Sequence, residues 1–223
     1  MTDRPITFSG PMVRALLAGT KTQTRRVIKP RGRLSLFDGT WSDSYVLDPG
    51  NAGWRAKDVR ILVGDRLYVR EHWHAEVGYD GTSPRDIPGG NPVWFVADGK
   101  GPAADAFKPG RFRQAMHMPK WASRITLHVA EVRVQRLQEI SDEDAIAEGI
   151  EDVTREIAPG DTSLRFWKRY RDGGWNGYVD NPIGSYASLW TEINGPGSWE
   201  ANPWVAATTF EVERCHIDQA RAA

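Results

Sequence analysis

The segment Gly19-Thr20-Lys21-Thr22-Gln23-Thr24-Arg25-Arg26 packs a lysine, candidate hydroxyls and two arginines into a short stretch. A threonine hydroxyl is a poor nucleophile until a base takes its proton, and a lysine whose pKa is lowered by burial can be that base. In a turn or at a helical start, Lys21 and Thr24, three residues apart, would face each other. Glu71, at the end of an alternating stretch, is the candidate to orient the lysine or carry a proton to a leaving group. Arg26 can bind a ribose or polarise a carbonyl oxygen, and serves equally as a structural ion-pair partner. By residue chemistry alone, an exposed loop in which Lys21 pairs with Glu71 is the stronger reading of these residues. His72 and His74 flank Trp73 and would share one side of a strand, where a metal could bridge them. Without a third ligand, hydrogen-bonded or surface histidines fit better. The sequence contains no Walker loop, no dinucleotide-binding glycine fingerprint, no nucleophile elbow and no His-Glu-X-X-His.

The elements that must position these residues are readable from local pattern. Ser9-Gly10-Pro11, an apolar face of Met12, Val13, Leu16 and Leu17, and Gly19 as a stop predict a helix that delivers Lys21 and Thr24. Residues 34–57 lack periodicity and read as an excursion from the core. After the turn at Val63-Gly64-Asp65, residues 66–71 alternate as a strand with Glu71 at its end. Val93-Trp94-Phe95-Val96 predicts a strand inside a Gly- and Pro-rich stretch, and residues 123–134 alternate throughout. Ser141 and the acids after it open a helix in the capping-box pattern, with Gly149 near its stop. A helix is predicted through Leu164, Phe166, Trp167 and Tyr170, another over residues 185–193, and a strand over residues 204–212. Long alternating strands with few helices point to a mainly antiparallel sheet closed into a small barrel.

Composition narrows the partners. The chain has 223 residues with 40% hydrophobic content, enough for one good core and within the range of a single domain. Lys plus Arg and Asp plus Glu both number 29, so no global cationic field holds a long nucleic acid. A local basic cleft remains open, because Arg25, Arg26, Lys29, Arg31 and Arg33 lie close together. The single cysteine, Cys215, excludes an internal disulfide and a Cys-based zinc or redox pair. With no apolar leader and no stretch near the roughly 20 apolar residues of a span, a cytoplasmic protein without a membrane partner is expected. Of ten tryptophans, Trp73, Trp121, Trp167, Trp175, Trp190, Trp199 and Trp204 lie in polar surroundings. Such rings suit stacking on a base, although for any one of them core anchoring is the commoner use. Trp121, in His117-Met118-Pro119-Lys120-Trp121, can face a base or anchor a turn.

Gly19-X-Lys21-X-X-Thr24-X-Arg26, then Gly64-Asp65-X-Leu67-X-Val69-Arg70-Glu71, then the long strand ending near Val134, resembles the ASCH domain family, relatives of the PUA RNA-binding domains. The matched pieces, residues 5–28, 61–75, 117–150 and 185–212, cover about half the chain. The resemblance implies an α+β, mainly β fold: one PUA-like barrel flanked by short helices, with insertions near 29–60, 77–116 and 151–182. Many members carry glutamate where Thr24 stands. Threonine there is similar to the bacterial subgroup that hydrolyses N(4)-acetylcytidine to cytidine and a carboxylate. In that subgroup a lysine, a threonine and a glutamate form the catalytic set, which falls on Lys21, Thr24 and Glu71. Arg26, Trp73 and Trp121 are the candidate substrate-binding residues. The implied enzyme is an amidohydrolase of modified nucleosides that needs no metal or cofactor, and the insertions suggest acyl groups bulkier than acetyl. An RNA-binding module or a ribonuclease built on the same residues stays as the alternative.

Overall fold

The computed structural model describes residues 2–31, 34–99, 108–170 and 177–220. In chain order its elements are β1 (Asp3–Thr7), α1 (Gly10–Ala18), β2 (Gln23–Val27), α2 (Asp43–Leu47), α3 (Ala52–Arg55), β3 (Arg66–Arg70), β4 (Trp73–Glu76), β5 (Val93–Phe95) and β6 (Pro109–Arg113). They continue with β7 (Thr126–Arg136), α4 (Asp142–Ala147), α5 (Thr154–Ile157), β8 (Trp167–Lys168), β9 (Tyr178–Val179), α6 (Pro182–Asn194) and β10 (Trp204–Glu213). The chain divides into two compact units of discontinuous segments: residues 1–19, 63–130 and 210–223, and residues 20–62 and 131–209.

In the first unit β1 runs parallel to β3, and β3 pairs antiparallel with the start of β7. A three-stranded ladder, β5-β4-β6, forms where two strands from the stretch the sequence marked as an insertion, near 77–116, pair with β4, which precedes it. Trp73, Ala75, Ile87, Met118 and Ala122 form a buried cluster, with Trp121 packed against it. Helix α1 forms as its sequence predicts, burying Val13 and Leu16. Gly19 ends it in the left-handed region at φ 76°, donating to the carbonyls of Ala15 and Leu16. A side chain there is strained, so Gly19→Ala is expected to cost about 1 kcal/mol, read as a lower urea midpoint with an unchanged slope.

In the second unit β10 pairs antiparallel with β2, and β7 lies beside β10. One core cluster gathers Leu137, Ile140, Ala145, Ile150, Tyr186, Trp190 and Val205, and another Ile28, Leu36, Phe37, Val46, Trp204 and Ala206. Alternation along β10 sends Val205 to the first cluster and Trp204 and Ala206 to the second. The Ser141 hydroxyl caps α4 by accepting from Asp144 N at 3.2 Å, and the Asn181 side chain caps α6 from Gly184 N at 2.6 Å.

Three sequence expectations are corrected. The α+β class holds, but among the described residues the barrel does not form: the strand order β1-β3-β7 in one unit and β7-β10-β2 in the other leaves edge strands, and the sheets stay open. Alternation reveals which stretches are strands, while closure depends on which edges pair, a long-range property that no local period encodes. The helix expected through residues 164–170 is instead the ribbon β8–β9, in which Trp167 faces Val179 and Phe166 meets Tyr178 edge-on at 5.0 Å. Four apolar residues over so short a window satisfy either period, and aromatic cross-strand contact decides for the strand. Thr24 lies within strand β2, where a turn or helical start was expected. Among the described residues no helix is long and apolar enough to cross a membrane.

Candidate functional site

Backbone pairing in the second unit brings Lys21 to the end of α4. Thr22 N donates to Ala147 O at 2.9 Å, and Lys21 forms an isolated antiparallel bridge with Glu148. The Lys21 side chain is 0% exposed. Its Nζ donates to Gln23 O at 2.8 Å, to Glu148 O at 2.7 Å and to Glu148 Oε2 at 2.9 Å. Three acceptors require three N–H protons, so this arrangement holds an ammonium. Burial pushes the Lys21 pKa down, the neighbouring Arg26 and Arg25 push the same way, and the Glu148 carboxylate opposes them. Net, the lysine gives up its proton more readily than an ordinary one.

Around this pair lies a buried ionic network. Arg25 donates to Asp144 Oδ2 at 2.6 Å, to Glu148 Oε1 at 3.2 Å and to the Gln23 side-chain oxygen. Gln23 Nε2 donates to Asp144 Oδ1 at 3.0 Å and to Thr209 Oγ1 at 3.1 Å. The Tyr186 hydroxyl donates to Glu148 Oε1 at 3.4 Å, and burial beside that carboxylate raises the phenol far above its usual range, so it stays protonated. Burial opposes ionisation of Asp144, but hydrogen bonds from Arg133 and Gln23 and the nearby guanidinium charges hold its carboxyl below the usual range.

Thr24 occupies the opposite face of β2. In the register with β10 it stands directly across from Thr208, while Gln23 stands across from Thr209 and Arg25 from Ala207. Thr24 is 3% exposed, and its hydroxyl makes no hydrogen bond among the described residues. Lys21 is linked to Thr24 through the backbone, because its Nζ holds the Gln23 carbonyl whose peptide bond leads into Thr24. Arg26 is exposed.

The other candidates lie in the first unit. Glu71 follows β3 and is buried, with Arg124 gripping both its oxygens at 2.9 and 3.0 Å. Arg124 also holds Asp98 and stacks on the Phe95 ring at 3.8 Å. Burial raises the Glu71 carboxyl, Arg124 opposes the shift, and Asp98 adds to it. The ion partner of Lys21 is thus Glu148 and that of Glu71 is Arg124, where the sequence alone had favoured pairing the two with each other. Trp73 is fully enclosed in its core cluster beneath Arg113, so in this structure its ring serves as core. Trp121 is half-buried on the same cluster, with Gly89 close against its ring. His72 Nδ1 accepts from Ala115 N at 3.1 Å, and His74 Nδ1 meets Gly110 O at 2.7 Å with its ring stacked on Trp94. Both histidines are engaged in structural contacts, and no group of three or more potential metal ligands occurs among the described residues. Trp190 and Trp204 are core residues, Trp167 and Trp199 pack partly buried, and Trp175 and Arg33 lie outside the described residues.

Sequence reasoning missed Glu148, Asp144, Tyr186 and Arg124. Glu148 is 127 residues from Lys21 and looks like any acid at a helix end, so no local signal links the two. Set beside known proteins, the chain finds no matching family model, no matching curated protein and no matching solved structure.

Proposed function

We propose that this chain is an amidohydrolase that removes the acyl group from N(4)-acylated cytosine nucleosides, with Thr24 as nucleophile and Lys21 as its base. The reading joins the resemblance of the Gly19–Arg26 and Gly64–Glu71 motifs to ASCH proteins with one structural observation. A fully buried lysine, pushed toward its neutral form and bonded to a buried carboxylate, is anchored by the carbonyl one peptide before a buried threonine. Burial lowers the Lys21 pKa, and loss of one proton from its ammonium yields the neutral amine a base must be.

In the sequence that the resemblance implies, the Thr24 oxygen attacks the acyl carbonyl carbon while its proton passes to Lys21. The Lys21 Nζ is turned in this structure to Gln23 O and Glu148 on the other face of β2 and must swing toward Thr24 for this step. The bond to the N(4) nitrogen breaks, and Lys21 returns the proton to the departing cytosine amine, leaving an acyl ester on Thr24. Water, losing a proton to Lys21, then hydrolyses the ester to a carboxylate and restores the hydroxyl. An amine conjugated to a pyrimidine ring leaves more readily than an alkyl amine, so the site needs less electrostatic help. Glu71 is assigned to assist departure by the resemblance alone, as are Arg26 and Trp121 to substrate binding. The alternative of an RNA-binding module loses support because Arg25 is turned into ion pairs and is withdrawn from the basic stretch that motivated it.

The test is turnover of N(4)-acetylcytidine and of a series with longer acyl chains, followed by the absorbance change as cytidine forms. Release is expected for acetyl and for bulkier groups. An inert wild-type protein across the whole series overturns the reading.

A further inference from the structure

We infer that Thr208 is a second catalytic hydroxyl, donating a hydrogen bond to the acyl carbonyl oxygen of the substrate while Thr24 attacks the carbon. The inference rests on the amidohydrolase reading and adds to it the group that receives the developing negative charge.

Thr208 lies on β10 directly across from Thr24 on β2. Opposed residues of an antiparallel pair point to the same face, with Cβ atoms about 5 Å apart. Two hydroxyls so placed can reach two adjacent atoms of one planar group. Thr208 is 1% exposed, and its Oγ1 is buried without a hydrogen-bond partner among the described residues. An orphaned buried hydroxyl weakens a fold, and valine, with the same shape and a strong strand preference, would avoid the loss.

The neighbouring residue provides an internal contrast. Thr209 points to the opposite face, where its hydroxyl accepts from Gln23 Nε2 at 3.1 Å and reaches Glu131 Oε2 at 3.5 Å. The unused hydroxyl therefore belongs to the face that carries Thr24. On that face the next residue of β10 is Ala206, across from Arg26, so the pair of threonines is flanked by a methyl on the β10 side.

A carbonyl oxygen gains charge as the tetrahedral intermediate forms, and a preorganised donor in a dry site is worth most at that moment. Thr208 keeps its proton throughout, so the covalent steps and their proton balance are unchanged. Because the hydrogen bond strengthens only as charge develops, its loss appears in kcat with little change in KM.

The experiment measures kcat and KM for N(4)-acetylcytidine, together with urea midpoints, for wild type, Thr208→Val and Thr208→Ser. Thr208→Val is expected to fold at least as stably as wild type and to lose about 100-fold in kcat, with KM changed by less than about threefold. Thr208→Ser, which restores a hydroxyl, is expected to stay within about tenfold of wild type. An unchanged kcat in Thr208→Val overturns the role of Thr208 and leaves the amidohydrolase reading standing. A loss shared by Thr208→Ser and accompanied by lower stability in both overturns it in favour of packing. Absence of turnover by wild type overturns both inferences together.

Discussion

Thr24→Ala is expected to lose at least about a thousandfold in kcat for N(4)-acetylcytidine, because no other group in the proposed mechanism can form the acyl ester. Thr24 is buried in β2 and its hydroxyl makes no hydrogen bond among the described residues, so removing it breaks no internal bond. The fold should persist, with a stability change of no more than about 1 kcal/mol, and the loss is then chemical. Thr24→Ser keeps an oxygen at the same branch point and should retain measurable turnover. Intact-mass measurement on rapidly quenched wild type should show one added acyl group, absent from Thr24→Ala. The pH dependence has a definite sign. Lys21 must be neutral to take the threonine proton, and burial lowers its pKa from the ordinary 10.5, so the rate should climb with pH and level off below that value. Undiminished turnover by Thr24→Ala, or a rate that falls as pH rises through this window, removes Thr24 and Lys21 from these roles.

What could be read from the sequence was local. Helix α1, its Gly19 stop, the strand leading into Glu71, the cap at Ser141 and the terminal strand all follow from periodicity and from residues with special backbone or hydrogen-bonding chemistry. Strand β2 was not legible, because Gln23-Thr24-Arg25-Arg26-Val27 carries no apolar alternation. Its inward face is made of Gln23 and Arg25, whose burial is permitted by Asp144 and Glu148, residues from another part of the chain. For the same reason Lys21 and Arg25 looked like surface cations. A charged residue reads as buried only once its partner is known, and here the partner is more than a hundred positions away. The two units were equally hidden: each is assembled from separated segments, with β7 and β10 passing through both, so no linker composition marks the change. Tryptophan was the opposite case, since an abundance that suggested stacking on a base is largely taken up by the cores.

Glu148→Ala is expected to destabilise the chain by about 3–5 kcal/mol at pH 7, the largest stability effect the network predicts. Glu148 receives Lys21 at 2.9 Å, Arg25 at 3.2 Å and Tyr186 at 3.4 Å, all from buried side chains. Alanine takes the buried carboxylate away from the Lys21 ammonium while Gln23 O and the residue-148 carbonyl stay, and among the described residues Arg25 keeps Asp144 as its acidic partner. Glu148→Gln, which keeps the shape and an acceptor, should cost less. The deficit of Glu148→Ala must also depend on pH. Without the carboxylate that opposes desolvation, the folded-state pKa of Lys21 falls further, so the native variant binds fewer protons than its unfolded chain. Stability then rises with pH from that lowered folded pKa up to the ordinary 10.5, and the gap to wild type should narrow between pH 7 and pH 9.5. Urea unfolding of both proteins at the two values is the measurement. A deficit under about 1 kcal/mol, or one that widens at the higher pH, would mean that Lys21 is not an uncompensated charge in the variant. The same logic makes Lys21→Met combined with Glu148→Leu much less harmful than Glu148→Ala, since removing both charges eliminates the desolvation that made either one dependent on the other.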